Sequence, residues 1–272
     1  MNKKLSYAIL VATSLTLGAC DSSSEHKDKA GQEPEATVNS ANPDILPYLN
    51  IKQKSADFAL PFCENKNCID IDIQSIQTQD TWLNSWIEKN QARVVQDQIG
   101  LNQDMNLQQA INAYVIKSDA WQSEQKTNTA FELAMYTRMA YQRNQFILLQ
   151  VGLDSKQEGA KVTERYYFFA ADRKQKKALK ILDIIDEKKQ LKMDGFVQKA
   201  YQEWLKKQDS FVQEKAPQKL RWGQSDWFFD HEGIGLHLRT NEVVKDAQQL
   251  DIYLTKAQTQ QVVKPVIYKN MF

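Results

Sequence analysis

Phe131-Glu-Leu-Ala-Met-Tyr-Thr-Arg-Met-Ala-Tyr141 alternates apolar and polar side chains. A period of two lines up Phe131, Leu133, Met135, Thr137, Met139 and Tyr141 on one face of a strand, whereas a helical period of about 3.6 would scatter them. The residues that follow repeat the theme. Arg143-Asn144 turns the chain into Phe146–Val151, and the polar run from Asp154 to Gly159 turns it again into Val162–Ala171. A third, basic turn at Arg173–Lys177 leads to Leu179-Lys-Ile-Leu182. Strands joined by short turns pair antiparallel, so the middle of the chain predicts a meander sheet.

Working outward, Ile69-Asp-Ile-Asp-Ile73 is another alternating strand, and Leu46–Phe62, with Pro47 and Pro61, reads as an irregular entry with one edge strand. From Asp80 the period changes. Trp82, Leu83, Trp86, Ile87, Val94 and Val95 fall at helical spacing before Gly100, and a second stripe after Asp104 carries Leu107, Ile111, Tyr114, Val115 and Trp121. On the other side, Glu187–Lys207 predicts a helix burying Leu191, Phe196, Val197, Ala200, Tyr201, Trp204 and Leu205. Strands return at Trp227-Phe-Phe229, at Ile234, Leu236 and Leu238, and at Leu250–Leu254, followed by a short helix from Thr255 to Val262. The class is α+β: an antiparallel sheet of meander and hairpin strands packed against several amphipathic helices. Residues 44–272 form a single domain in this reading, or two intertwined halves at 60–172 and 178–265.

The amino end has a different logic. Lys3 and Lys4 precede an apolar run from Leu5 to Leu17, too short for the roughly 20 residues a bilayer span needs. Leu17-Gly-Ala-Cys20 then resembles the lipobox of bacterial lipoproteins. That resemblance implies a leader over residues 1–19, acylation of Cys20, and attachment of the remainder to a membrane through lipid. Residues 20–43 are rich in Ser, Ala, Asn and mixed charge, and read as a flexible tether. Asp21 after the acylated cysteine leans toward the inner membrane, with the body facing the periplasm. Cys63 and Cys68 are the other two cysteines. In an oxidising compartment they are expected to form a disulfide, since no second Cys or His pair has the spacing of a zinc site. The chain has 35 basic and 34 acidic residues. That balance argues against a nucleic-acid partner, which would need a concentrated positive field.

The order of elements resembles the extracellular domain of the RsiV anti-sigma factor and the related non-catalytic domain of the PdaC deacetylase. The resemblance rests on Trp82–Gly100, Tyr136–Val151, Leu179-Lys-Ile-Leu-Asp183-Ile-Ile, Trp227-Phe-Phe-Asp230 with Gly233-Ile-Gly-Leu-His-Leu238, Asn241-Glu-Val-Val244 and Leu250-Asp-Ile-Tyr253. It spans most of residues 60–265. It implies a binding module facing the cell wall, with a lysozyme-type protein as the ligand. Two segments depart from the family: Asp154–Gly159 stands where a Gly-Gly-Ala-His-Gly turn is common, and Lys245–Gln249 replaces aromatics and a glycine. Contact residues therefore do not carry over.

No catalytic set assembles from the sequence. His26 lies in the tether, His231 in a polar turn, and His237 on the strand face opposite Leu236 and Leu238, which predicts a surface position. Asp183, Asp186 and Glu187 are explained by helix capping and the helix dipole. There is no Gly-x-Ser-x-Gly and no phosphate loop. The expectation is a non-enzyme without cofactor or metal. Two candidate binding features remain: the basic turn of Arg173, Lys174, Lys176, Lys177 and Lys180, and the aromatic strand beginning Tyr166-Tyr167. The leading functional reading is an envelope lipoprotein that binds a protein or glycan near the peptidoglycan. A structural accessory that contacts other membrane proteins is the alternative, and a hydrolase stands third.

Overall fold

A computed structural model describes residues 46–64 and 67–272. The leader, Cys20, His26 and the tether lie outside the described residues. In chain order the elements are β1 (Lys52–Ser55), β2 (Asp70–Gln77), α1 (Thr81–Asp97), α2 (Leu107–Gln125), β3 (Glu132–Arg143), β4 (Phe146–Gln157), β5 (Ala160–Asp172), β6 (Lys177–Leu179) and α3 (Ile181–Ile184). They are followed by α4 (Gln190–Leu205), α5 (Ser210–Lys215), β7 (Asp226–Phe229), β8 (Ile234–Leu238), β9 (Leu250–Leu254), α6 (Lys256–Val262) and α7 (Pro265–Met271). The architecture is α+β.

Strands β1 to β6 form one sheet in sequence order, and β7 to β9 form a second. Every neighbouring pair is antiparallel except β2 and β3, which run parallel. That exception follows from the connection: two helices separate the strands, and a crossover of that length allows the chain to re-enter in the same direction. Asp80 starts α1 by accepting the Leu83 N–H at 3.1 Å, and Asn106 starts α2 through a reciprocal capping box with Gln109.

The alternation of β3 is fulfilled through Met139, but a bulge between Met139 and Tyr141 turns Tyr141 to the other face, where it packs on the second cluster described below. Leu133, Met135 and Thr137 are buried, while Glu132, Ala134, Tyr136 and Arg138 are exposed. The buried set meets Leu83, Ile87, Val94, Ile111 and Tyr114 of α1 and α2, together with Ile73, Leu149 and Val151, in one hydrophobic cluster. A second cluster joins Met193, Val197 and Tyr201 of α4 to Trp227, Phe229, Ile234, Leu236 and Ile252 of the second sheet. Phe146, Leu148 and Ala170 of the first sheet belong to this second cluster. The first sheet therefore has helices on one face and, over part of the other, the second sheet.

Several sequence expectations shift. The polar run 154–159 is not all turn: β4 continues to Gln157, and only Glu158 and Gly159, at φ +49° and +81°, reverse the chain. The strand expected at Leu179–Leu182 ends at Leu179, and Ile181–Ile184 is a helical turn. Leu191, expected in the core, is 90% exposed. The buried stripe of α4 runs through Met193, Val197 and Tyr201, and Leu191 stands two residues, about 200°, away from Met193. Helices α5 and α7, of six and seven residues, are too short to show a helical period in the sequence.

Candidate functional site

The cysteine expectation is met: Cys63 and Cys68 are joined, with S–S 2.11 Å. The basic turn divides. Arg173 is only 3% exposed, because its guanidinium turns back to donate to the Pro47 carbonyl at 2.9 Å and sits 3.5 Å from Asp80. It belongs to the frame and is not a solvated turn residue. Lys174 and Lys176 are exposed at the tip. Lys177 and Lys180 instead line a groove.

The aromatic strand is largely covered, and of its rings Phe168 and Phe169 reach the groove described below. Tyr167 is buried, with its hydroxyl donating to Asp97 at 2.5 Å and accepting from Gln98 at 2.8 Å. Phe168 packs against Phe228, with ring centroids 5.2 Å apart, and Tyr166 is half-buried. His231 is exposed, as expected. His237 is not: it is 2% exposed. The period-two reading set it correctly opposite Leu236 and Leu238, but that face of β8 is covered by β5. Its Nδ1 lies 2.6 Å from Asp251 and its Nε2 lies 3.1 Å from the Tyr166 carbonyl.

The groove has a volume of about 690 Å³, within the usual range of small-ligand sites. Helix α1 contributes Trp86, Asn90 and Arg93, spaced four and three residues apart on one stripe. Phe168, Phe169 and Ala170 of β5 and Trp227 of β7 add apolar surface. The β6–α3 link contributes Lys177, Lys180 and Asp183, and the turn before β7 contributes Gln224 and Ser225. Lys177 is paired with Asp183 at 3.0 Å. Burial pushes the Asp183 carboxyl up, but the Lys180 N–H and the Lys177 ammonium outweigh it and hold the group below its ordinary value. Arg93 and Lys180 have no carboxylate within 4 Å among the described residues. The groove thus carries two cations with no directly paired carboxylate, of which Arg93 also helps from a distance to hold the Asp104 carboxyl low, beside amide, hydroxyl and aromatic groups. The two lysines stand in a basic run visible in the sequence, whereas the one signal of Arg93 is its place seven residues after Trp86.

Beside the groove the two sheets are fastened by a polar junction. Arg239 donates to Asp226 at 2.6 Å, pairs with Glu242, and stacks 4.1 Å over the Tyr167 ring. Arg239 and His237 both face the Tyr166 carbonyl, and Asp226 accepts the Phe168 N–H at 3.4 Å. Side chains from the second sheet therefore cap the part of the β5 edge that β6 leaves unpaired. Burial pushes the Asp251 carboxyl up, yet the His237 hydrogen bond, the His237 charge and Gln249 bring it below its ordinary value. A depressed carboxyl contributes stability above its unfolded pKa of about 3.9, and that contribution disappears as pH falls through the folded value. Asp251→Asn should therefore lower the melting temperature at pH 6 and converge with the wild type at acid pH. Parallel melting curves from pH 6 to 2.5 would remove Asp251 from the acid response.

Among the described residues no group of three His, Cys, Asp or Glu side chains is placed to hold a metal ion. No helix among them is long and apolar enough to cross a membrane.

No family model matches the chain, and no curated protein does. Solved structures do. A DUF3298 family protein from Pseudomonas aeruginosa PAO1 aligns with a TM-score of 0.59 over 84% of this chain and 99% of its own, at 14% identity. A DUF3298 family member from Bacteroides fragilis NCTC 9343 aligns with a TM-score of 0.54 over 82% of this chain and 98% of its own, at 12% identity. The fold is shared. At such identities the likeness speaks for the fold and leaves the groove residues to be argued from their own chemistry.

Proposed function

We propose that the chain is a non-catalytic, lipid-anchored binding module of the bacterial envelope, which engages a wall glycan or a lysozyme-type protein near the peptidoglycan. The observation that carries this reading is the groove, where Arg93 and Lys180 have no carboxylate within 4 Å among the described residues while Gln224 and Ser225 offer polar groups. Such a lining suits the binding of a polar, anionic ligand. The enclosed imidazole has both nitrogens engaged, and Nε2 meets a main-chain carbonyl where a hydrolase would present a nucleophile. The disulfide supports an oxidising compartment, and the leader ending at Cys20 supports the lipid anchor. The resemblance of residues 60–265 to the RsiV and PdaC domains supplies the ligand classes.

Full-length protein in detergent is expected to sediment with purified sacculi or to be retained by immobilised lysozyme at physiological salt. Retention by neither would overturn the binding reading. Cys20→Ala is expected to lose acyl label and leave the membrane fraction, because stable anchoring takes two chains or more. Unlabelled wild-type protein free in the periplasm would remove the anchor.

A further inference from the structure

We infer that the groove between α1 and the β6–α3 link is a subsite for a carboxylate-bearing saccharide, with Arg93 and Lys180 taking the acid group. This rests on the envelope-binding reading above and narrows it to one ligand class. Three features of the lining converge on that class. Half-buried Phe169, with the edges that burial leaves of Trp86 and Trp227 (9% and 3% exposed), gives an apolar wall against which the C–H face of a sugar ring can lie. Gln224 and Ser225 supply amide and hydroxyl groups for ring hydroxyls and N-acetyl groups, while Asn90 beneath them is buried and donates to the Trp86 carbonyl at 2.8 Å. Arg93 and Lys180 supply the charge, and neither has another carboxylate within 4 Å among the described residues.

The other two cations nearby are already committed. Lys177 is held by Asp183 at 3.0 Å, and Arg239 by Asp226 at 2.6 Å. Among the described residues, Arg93 and Lys180 are therefore the groove cations without a directly paired carboxylate, Arg93 acting on Asp104 only from beyond 4 Å. A simple phosphate would use those cations and leave the amides and rings idle. An acyl chain would use the rings and strand the cations and amides without partners. An acidic amino sugar uses all three, and a volume of about 690 Å³ accommodates more than one ring.

Arg93 and Lys180 are both exposed, so their neutral replacements leave the core untouched. The test is calorimetric titration of full-length protein in detergent with four probes. These are a tetrasaccharide alternating N-acetylglucosamine and N-acetylmuramic acid, its carboxylate-free counterpart chitotetraose, inorganic phosphate, and anionic phosphatidylglycerol micelles. The acidic tetrasaccharide is expected to bind best. Arg93→Gln and Lys180→Gln should each weaken it about tenfold, the scale of one charge-assisted hydrogen bond. Lys192→Gln, exposed on α4, should leave binding unchanged. Equal binding of chitotetraose, stronger binding of phosphate or lipid, or unchanged binding in both groove variants would each overturn the inference. If the protein holds sacculi or lysozyme yet ignores the tetrasaccharide, the saccharide subsite fails while the binding module stands. If it holds none of them, both fail.

Discussion

Arg239→Met should destabilise the protein by about 3 kcal/mol, the scale for removing one partner of a largely buried ion pair. The methionine keeps an apolar stem against the Tyr167 ring, over which the guanidinium now lies at 4.1 Å. What it removes is the charge held against Asp226 at 2.6 Å and against Glu242. Asp226 is then the difficulty. Burial already pushes its carboxyl up, and the Arg239 charge is the main force opposing that push. Without Arg239 the group must be buried as an unpaired anion or must take up a proton.

The sign of the pH dependence follows. A carboxyl raised in the folded state is not penalised below its unfolded pKa of about 3.9, and the penalty grows as pH rises through the folded value. The deficit of Arg239→Met should therefore be larger at pH 7 than at pH 4. Adding Asp226→Asn should recover part of it at pH 7. Urea unfolding of the two single variants and the double variant at both pH values measures this. A deficit under 1 kcal/mol at pH 7, or one indifferent to pH, would mean the junction is merely packed and not held by charge.

That junction also marks the limit of what the sequence discloses. Elements whose two faces meet different media were legible: Leu133, Met135 and Thr137 of β3 face the helices while Glu132, Tyr136 and Arg138 face solvent, so the alternation survives in the residue types. Strand β8 is buried along its whole length, and His237 reads as a surface residue because a polar side chain on a covered face looks the same as one in water. Only the three-dimensional partner, the Tyr166 carbonyl 71 residues earlier, explains it. The same reasoning applies to Arg173, whose acceptor at Pro47 is 126 residues away. The groove was half legible. Lys177 and Lys180 stand in a visible basic run, but Arg93 sits among buried neighbours on α1, and nothing local tells that its end of the helix reaches the β6 edge.

The other large effect expected is at Gly233, between β7 and β8. Its φ is not positive, so this glycine is needed for space and not for conformation. A Cβ there would lie 2.1 Å from the Leu254 carbonyl oxygen and 2.8 Å from Thr259 Oγ1. The first of these is main chain of β9 and cannot swing aside. The second is the hydroxyl that accepts the Ile234 N–H at 3.2 Å and donates to Leu254 O at 3.2 Å, fastening α6 to both strands. Gly233→Ala must therefore separate β8 from β9 or expel Thr259, and a loss of about 3 kcal/mol is expected, at the upper end for overpacking. Gly159→Ala is the contrasting case. Its φ is +81° with nothing within 4 Å, so only the left-handed backbone preference opposes the change, worth about 1 kcal/mol. Urea unfolding of the two variants side by side separates clash from conformation. A Gly233→Ala variant as stable as Gly159→Ala would show that the hairpin yields without cost. Because that hairpin leads into Asp226 and Trp227, which close the groove, the same variant should also lose groove binding, whereas Gly159→Ala should keep it.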